Sequence, residues 1–108
     1  MNAATLFVYV TCANQDEAKR IGRVLVEARL VACANVMAPH TAIYRWQGKL
    51  AEEAETALVL KTRAELLVHV SERIRQMHSY KLPCIVALPI VGGHAPYLQW
   101  IEGETGEG

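Results

Sequence analysis

From Cys33 to Lys61 the chain is dominated by β-favouring residues, interrupted chiefly by Gln47-Gly48-Lys49. This reads as one long hairpin: a first arm from Cys33 to Trp46, bent or bulged near Pro39, and a second from about Glu52 to Lys61. Arms of roughly a dozen residues, at about 3.3 Å per residue, reach about 40 Å, whereas a domain of about 100 residues has a radius of gyration of about 13 Å. The far end of the hairpin must therefore project from the body or curl over it. A projecting ribbon carrying Ile43, Tyr44, Trp46, Leu58 and Leu60 exposes apolar side chains and unpaired strand edges. Pairing with another copy of the chain relieves both, so Tyr44 and Trp46 are candidate interface residues.

The rest of the pattern places this hairpin in a fold. Leu6 to Val10 is continuously apolar and reads as a central strand buried on both faces. Asn14 and Glu17 have the spacing of a capping box, and Ala18, Ile21, Leu25 and Ala28 recur at helical spacing, giving a first helix to about Leu30. Thr62-Arg63-Ala64-Glu65 repeats the capping pattern ahead of a second helix marked by Leu66, Val70, Ile74 and Met77. Pro83 forces Leu82 into extended geometry, and Cys84 to Ile90 forms the last main strand. Gly92-Gly93 breaks it, Pro96 opens a short helix whose Tyr97, Trp100 and Ile101 share a face, and the tail from Gly103 is expected to fray. The order βαββαβ predicts a ferredoxin-like α/β sandwich (α+β), with a long β-hairpin, a short C-terminal helix and both main helices on one sheet face, in a single domain spanning 1–108.

Composition narrows the function. Eleven basic residues balance eleven acidic ones with no basic stripe, which argues against nucleic acid and against an anionic membrane surface as partners. Met1-Asn2-Ala3-Ala4-Thr5 has no basic residue before its apolar run, and that run soon meets Asn14 and Asp16, so neither a signal peptide nor a spanning helix fits. Three cysteines without paired spacing suit free thiols in a reducing compartment, and the expected location is cytoplasmic. No Cys-x-x-Cys loop, iron–sulfur spacing, Walker-type glycine loop or RNA-binding aromatic pattern occurs, and no organic cofactor is evident.

His78-Ser79-Tyr80-Lys81-Leu82-Pro83-Cys84, continuing through Ile90 and ending in Tyr97-Leu98-Gln99-Trp100-Ile101, joins an imidazole, a phenol and a thiol to a strand. With Ala32-Cys33-Ala34-Asn35-Val36, Tyr44-Arg45-Trp46-Gln47-Gly48-Lys49 and the Lys61-Thr62 pair, it resembles the CutA family of divalent-cation tolerance proteins over nearly the whole chain. The resemblance implies a homotrimer, a metal-tolerance role, no catalysis, and copper associated with Cys12 and His78. Where some family members place a second histidine before His78 this chain has Met77, whose thioether suits Cu(I) better than Cu(II). The same sandwich and trimer resemble PII-like signalling proteins, which bind small effectors in clefts between subunits.

Read residue by residue, the chemistry is sparse. Cys12, at the end of the first strand, is either an exposed soft ligand or a small filler, and His78 is either its partner or a helix-terminal dipole partner. Met77 and Cys84 are additional candidate ligands at an accessible copper site that the fold does not require. Cys33 reads as an inert buried thiol, and His40, His69 and His94 have no local ligand partner. Tyr80, Gly92, Gly93, Tyr97 and Trp100 are candidates for a small-molecule cleft, with helix docking as the rival role of the last two; Tyr44 and Trp46 could likewise stack a ligand near the hairpin tip. Glu53 and Glu55 share a strand face opposite Glu52 and read as solvated edge charges near Lys49 and Lys61. A thiol enzyme using Cys12 or Cys84 with His78 lacks a visible orienting acid.

Overall fold

A computed structural model describes residues 4–106; residues 1–3, part of the argument against a leader, and residues 107–108 of the tail lie outside it. In chain order the elements are β1 (Thr5–Cys12), α1 (Gln15–Glu27), β2 (Cys33–Trp46), β3 (Lys49–Arg63), α2 (Leu67–Met77), β4 (Ile85–Pro89) and α3 (Ala95–Gly103). A single 3-10 turn, Ala64–Leu66, precedes α2. The four strands pair in the order β2-β3-β1-β4, every pair antiparallel. This is the split βαβ arrangement that the element order predicts.

Strand alternation divides the sheet into two unlike faces. Val8, Val10, Leu58 and Leu60 point to one face and are fully buried beneath Ile21 and Leu25 of α1 and Val70 and Ile74 of α2. Burying each such branched side chain stabilises the fold by about 1.5–3 kcal/mol. Gly22 lets α1 approach β2 closely, since a Cβ there would stand 2.9 Å from that of Ala34. On the other face α3 covers only part of the sheet. Ile101 is fully buried there, and the Lys61 ammonium lies 5.6 Å from the Tyr97 ring centroid. Val86 and Leu88 of β4 remain more than half exposed beside Tyr9 and Phe7, their partners on β1. The first strand is thus sealed on one face only, rather than on both as its apolar run suggests.

The hairpin projects as its length requires: the molecule measures 44 × 27 × 24 Å. Its register runs from Cys33 opposite Lys61 to Trp46 opposite Lys49, with an irregularity between Val36 and Pro39. Gln47 and Gly48 both take positive φ, 50° and 80°, the two-residue turn whose twist matches that of the strands it joins.

Several boundaries differ from the sequence expectation. Helix α1 ends at Glu27, and Arg29 turns left-handed at φ 60°. The second capping box does not form: β3 continues through Thr62 to Arg63, and the Thr62 hydroxyl faces inward and donates to the Leu30 carbonyl at 2.6 Å. Strand β4 starts after Cys84 and stops at Pro89. The tail is held through Gly106 rather than fraying from Gly103. The Arg29 guanidinium donates to the carbonyls of Gly103 and Gly106, Arg63 donates to the Thr105 hydroxyl, and Thr105 is buried. None of the helices among the described residues is long and apolar enough to cross a membrane.

Candidate functional site

Cys12, Glu17 and His78 meet where β1, the start of α1 and the end of α2 converge, with one ligand-type atom from each inside a mutual distance of 4.8 Å. Each is placed by a local rule. Cys12 ends β1 on the helix-facing side. Asn14 caps α1 by accepting the Glu17 amide at 2.8 Å, which fixes Glu17 in the first turn. Helix α2 stops at Met77, and His78 follows in extended geometry, its ring turned back against β1.

The cluster is closed. The His78 Nδ1 accepts the Tyr80 amide at 3.0 Å, so the ring proton sits on Nε2, which donates to the Thr11 carbonyl at 2.8 Å. The Glu17 carboxylate accepts the Ala13 amide through Oε1 and the Ser79 amide through Oε2, both at 2.9 Å. Burial alone would push this carboxyl up, but the Ala13 and Ser79 donors outweigh it and hold it below its ordinary value. Cys12 is pushed up to about 12, first by burial and then by the Glu17 and Glu55 charges, so its thiol keeps its proton. Both Cys12 and the His78 ring are fully buried. The accessible ligand pair expected from the sequence is instead sealed, because the two helices close over the end of β1.

The donor chemistry suits a borderline or soft ion: a thiol, an imidazole and a carboxylate are the ligand types that copper and zinc take. Losing the thiol proton would give the cluster two negative charges, matching a divalent ion. To bind one, His78 would have to exchange its Nε2 hydrogen bond to Thr11 for the metal. Of the other sulfur candidates, Met77 packs against the core and offers its carbonyl to Arg20, while Cys84 faces a separate cavity. Glu17 escaped the sequence reading because its capping role accounted for it; its reach to Ser79, 62 residues away, has no local signature.

That second region is a cavity of about 680 Å³ on the opposite sheet face, between the hairpin and the segment from Tyr80 to Cys84. Tyr44, Trp46 and Tyr80 supply aromatic walls, with Glu53, Glu55 and Lys81 beside them. The Tyr80 hydroxyl donates to Glu55 Oε2 at 2.9 Å, and burial, followed by Glu55, pushes its phenol up. Glu55 is therefore not a solvated edge charge: it is 7% exposed. Tyr80 belongs to both regions, its amide on His78 and its hydroxyl on Glu55. Gly92, Gly93, Tyr97 and Trp100 do not join this cavity; Tyr97 and Trp100 stack with centroids 5.3 Å apart on the half-exposed side of α3.

Fold and side chains together define a ferredoxin-like sandwich with a buried thiol–carboxylate–imidazole cluster. Residues 6–104 match the family described as CutA1 divalent ion tolerance protein, and the chain belongs to that family. The divalent-cation tolerance protein CutA of Thermus thermophilus is 41% identical over 99 residues, 92% of this chain and 96% of that protein. Human protein CutA is 40% identical over 97 residues, 90% of this chain; the chain spans about half of the human relative's length, 54%. The solved divalent cation tolerance protein (Cut A1) from Thermus thermophilus superposes with a TM-score of 0.92 at 40% identity, over 94% of this chain and 99% of that one. CutA1 from Oryza sativa gives 0.93 at 36% identity, over 99% and 98%.

Proposed function

We propose that this chain is a homotrimeric, non-catalytic binding protein of divalent-cation tolerance, with Cys12, Glu17 and His78 as a buried copper site that opens when the ion arrives. The convergence of three donor types within 4.8 Å carries this reading. A binding role rather than catalysis agrees with a thiol too buried and too basic to act as a nucleophile. Three free cysteines suit a reducing, cytoplasmic setting. Self-association is supported by the uncovered sheet face around Val86 and Leu88 and by Ile43, Trp46 and Leu50 on the hairpin, all large apolar side chains left in solvent by one copy alone. The count of three rests on the family resemblance.

Competition titration with copper, alongside native mass spectrometry, tests both parts. The combined Cys12→Ser and His78→Ala variant should stay folded and lose the copper equivalent; unchanged affinity and stoichiometry would remove the assignment. Trp46→Ala should loosen the assembly more than Lys49→Ala, because large aromatics are the side chains that most often anchor an interface, and a parent protein that is monomeric at micromolar concentration would defeat the trimer.

A second reading, a PII-like sensor of a small effector, is favoured by one observation. The aromatic cavity falls inside the range of about 300–1,000 Å³ usual for ligand sites.

A further inference from the structure

We propose that the cavity beside the hairpin binds an organic ammonium ion, held by Glu55 and the aromatic walls of Tyr44, Trp46 and Tyr80. This extends the effector reading of the cavity and is independent of the metal cluster.

Glu55 is 7% exposed, yet among the described residues its side chain is in no ion pair, and neither is Glu53. Its carboxylate accepts the neutral Tyr80 hydroxyl, which orients one oxygen without supplying positive charge. A charge taken out of water is costly unless it is paired, so the favourable occupant of the adjoining space is a cation. Among the described residues that line the cavity Lys81 alone is basic; it is exposed, and its single charge stands against the two carboxylates of Glu53 and Glu55.

The walls say which kind of cation. Three aromatic residues line the cavity, and the face of an aromatic ring attracts positive charge, the environment that recognises alkylated ammonium groups. A hard metal ion prefers a shell made wholly of oxygen, whereas much of this lining is aromatic or aliphatic carbon. A carboxylate or phosphate ligand would be repelled by Glu53 and Glu55, and a neutral apolar ligand would bury Glu55 without compensating it. Partial burial and then Glu53 and Glu55 push the Tyr44 phenol up, in keeping with negative potential on this side of the sheet.

Titration calorimetry on the intact protein in its native assembly, at constant ionic strength and neutral pH, decides the matter. The probes are choline, its neutral isostere 3,3-dimethylbutan-1-ol, and acetate. Choline should bind at least about tenfold more tightly than the isostere, and acetate should not bind. Glu55→Gln should abolish the preference for choline while leaving the isostere's affinity as it was, a pattern that general loss of structure does not produce. The comparison of choline with its isostere on the parent protein stands even if the variant fails to fold. Equal affinity of the two, or tighter binding of acetate, overturns the ammonium assignment and leaves an effector cavity of other chemistry. No binding of any probe, as when a second copy fills the space, overturns the assignment and the effector reading together.

Discussion

Glu17 and Glu55 are buried to the same extent, each 7% exposed, and both bear on the same thiol, Cys12. They lead opposite lives. Glu17 sits at the start of a helix and receives amide donors from Ala13 and Ser79, one just before α1 and one just after α2. Glu55 sits mid-strand, receives one phenol, and faces open space. Equal burial therefore says nothing about whether a charge is satisfied; the donors aimed at it decide that. The first region is an internal latch joining α1 to the segment after α2, and the second is a buried carboxylate with no cationic partner among the described residues.

The contrast can be broken most sharply at the latch. Glu17→Ala leaves the Ala13 and Ser79 amides without their acceptor, and the metal-free protein should lose about 3 kcal/mol of unfolding free energy in urea, because each stranded donor costs about 1–3 kcal/mol. A loss below about 1 kcal/mol would mean water replaces the carboxylate easily and the latch is not closed.

Acid provides a second test. The Glu17 carboxyl titrates below its ordinary value of 4.5 in the folded protein, so its contribution is fully present above that value and disappears as the pH falls through the lower, folded-state one. The stability difference between parent and Glu17→Gln should stay constant from pH 7 to about 5 and close in more acidic solution. A difference that does not change with pH would assign the effect of Glu17 to packing rather than charge.

A smaller effect is expected beside the same thiol. Thr56 pairs with Cys12 across the strands, is 1% exposed, and its hydroxyl has no hydrogen-bond partner among the described residues. Removing an unpaired buried hydroxyl avoids its desolvation cost, so Thr56→Val should leave stability unchanged or raise it by up to about 1 kcal/mol. A clear loss would reveal a bond between Thr56 and its surroundings.

How much of this was legible in the chain follows the range of the forces involved. Local rules read well: Asn14 does cap α1, the alternation of the strands does put Glu53 and Glu55 on one face, and Gln47-Gly48 does turn the hairpin. Rules with a tertiary competitor failed. Thr62 has the spacing of a helix cap, but pairing with β1 extends β3 past it and burial gives its hydroxyl to Leu30. The tail looks like a loose run of glycine and glutamate, yet Arg29 and Arg63 hold it through partners more than 40 residues away. The site divides in the same way. Cys12 and His78 were visible as reactive types, whereas their enclosure, the part played by Glu17 and the burial of Glu55 depend on contacts between segments far apart in sequence.

The most direct test of the distinction is a paired urea denaturation of Glu17→Gln and Glu55→Gln at pH 7 without metal. Each change removes one buried charge and keeps the shape of the side chain. Glu17→Gln should cost about 1.5–3 kcal/mol, the worth of hydrogen bonds to a charged acceptor, while Glu55→Gln should be neutral or stabilising because the charge it removes has no cationic partner. Equal losses in the two variants, or a larger loss at Glu55, would contradict the account.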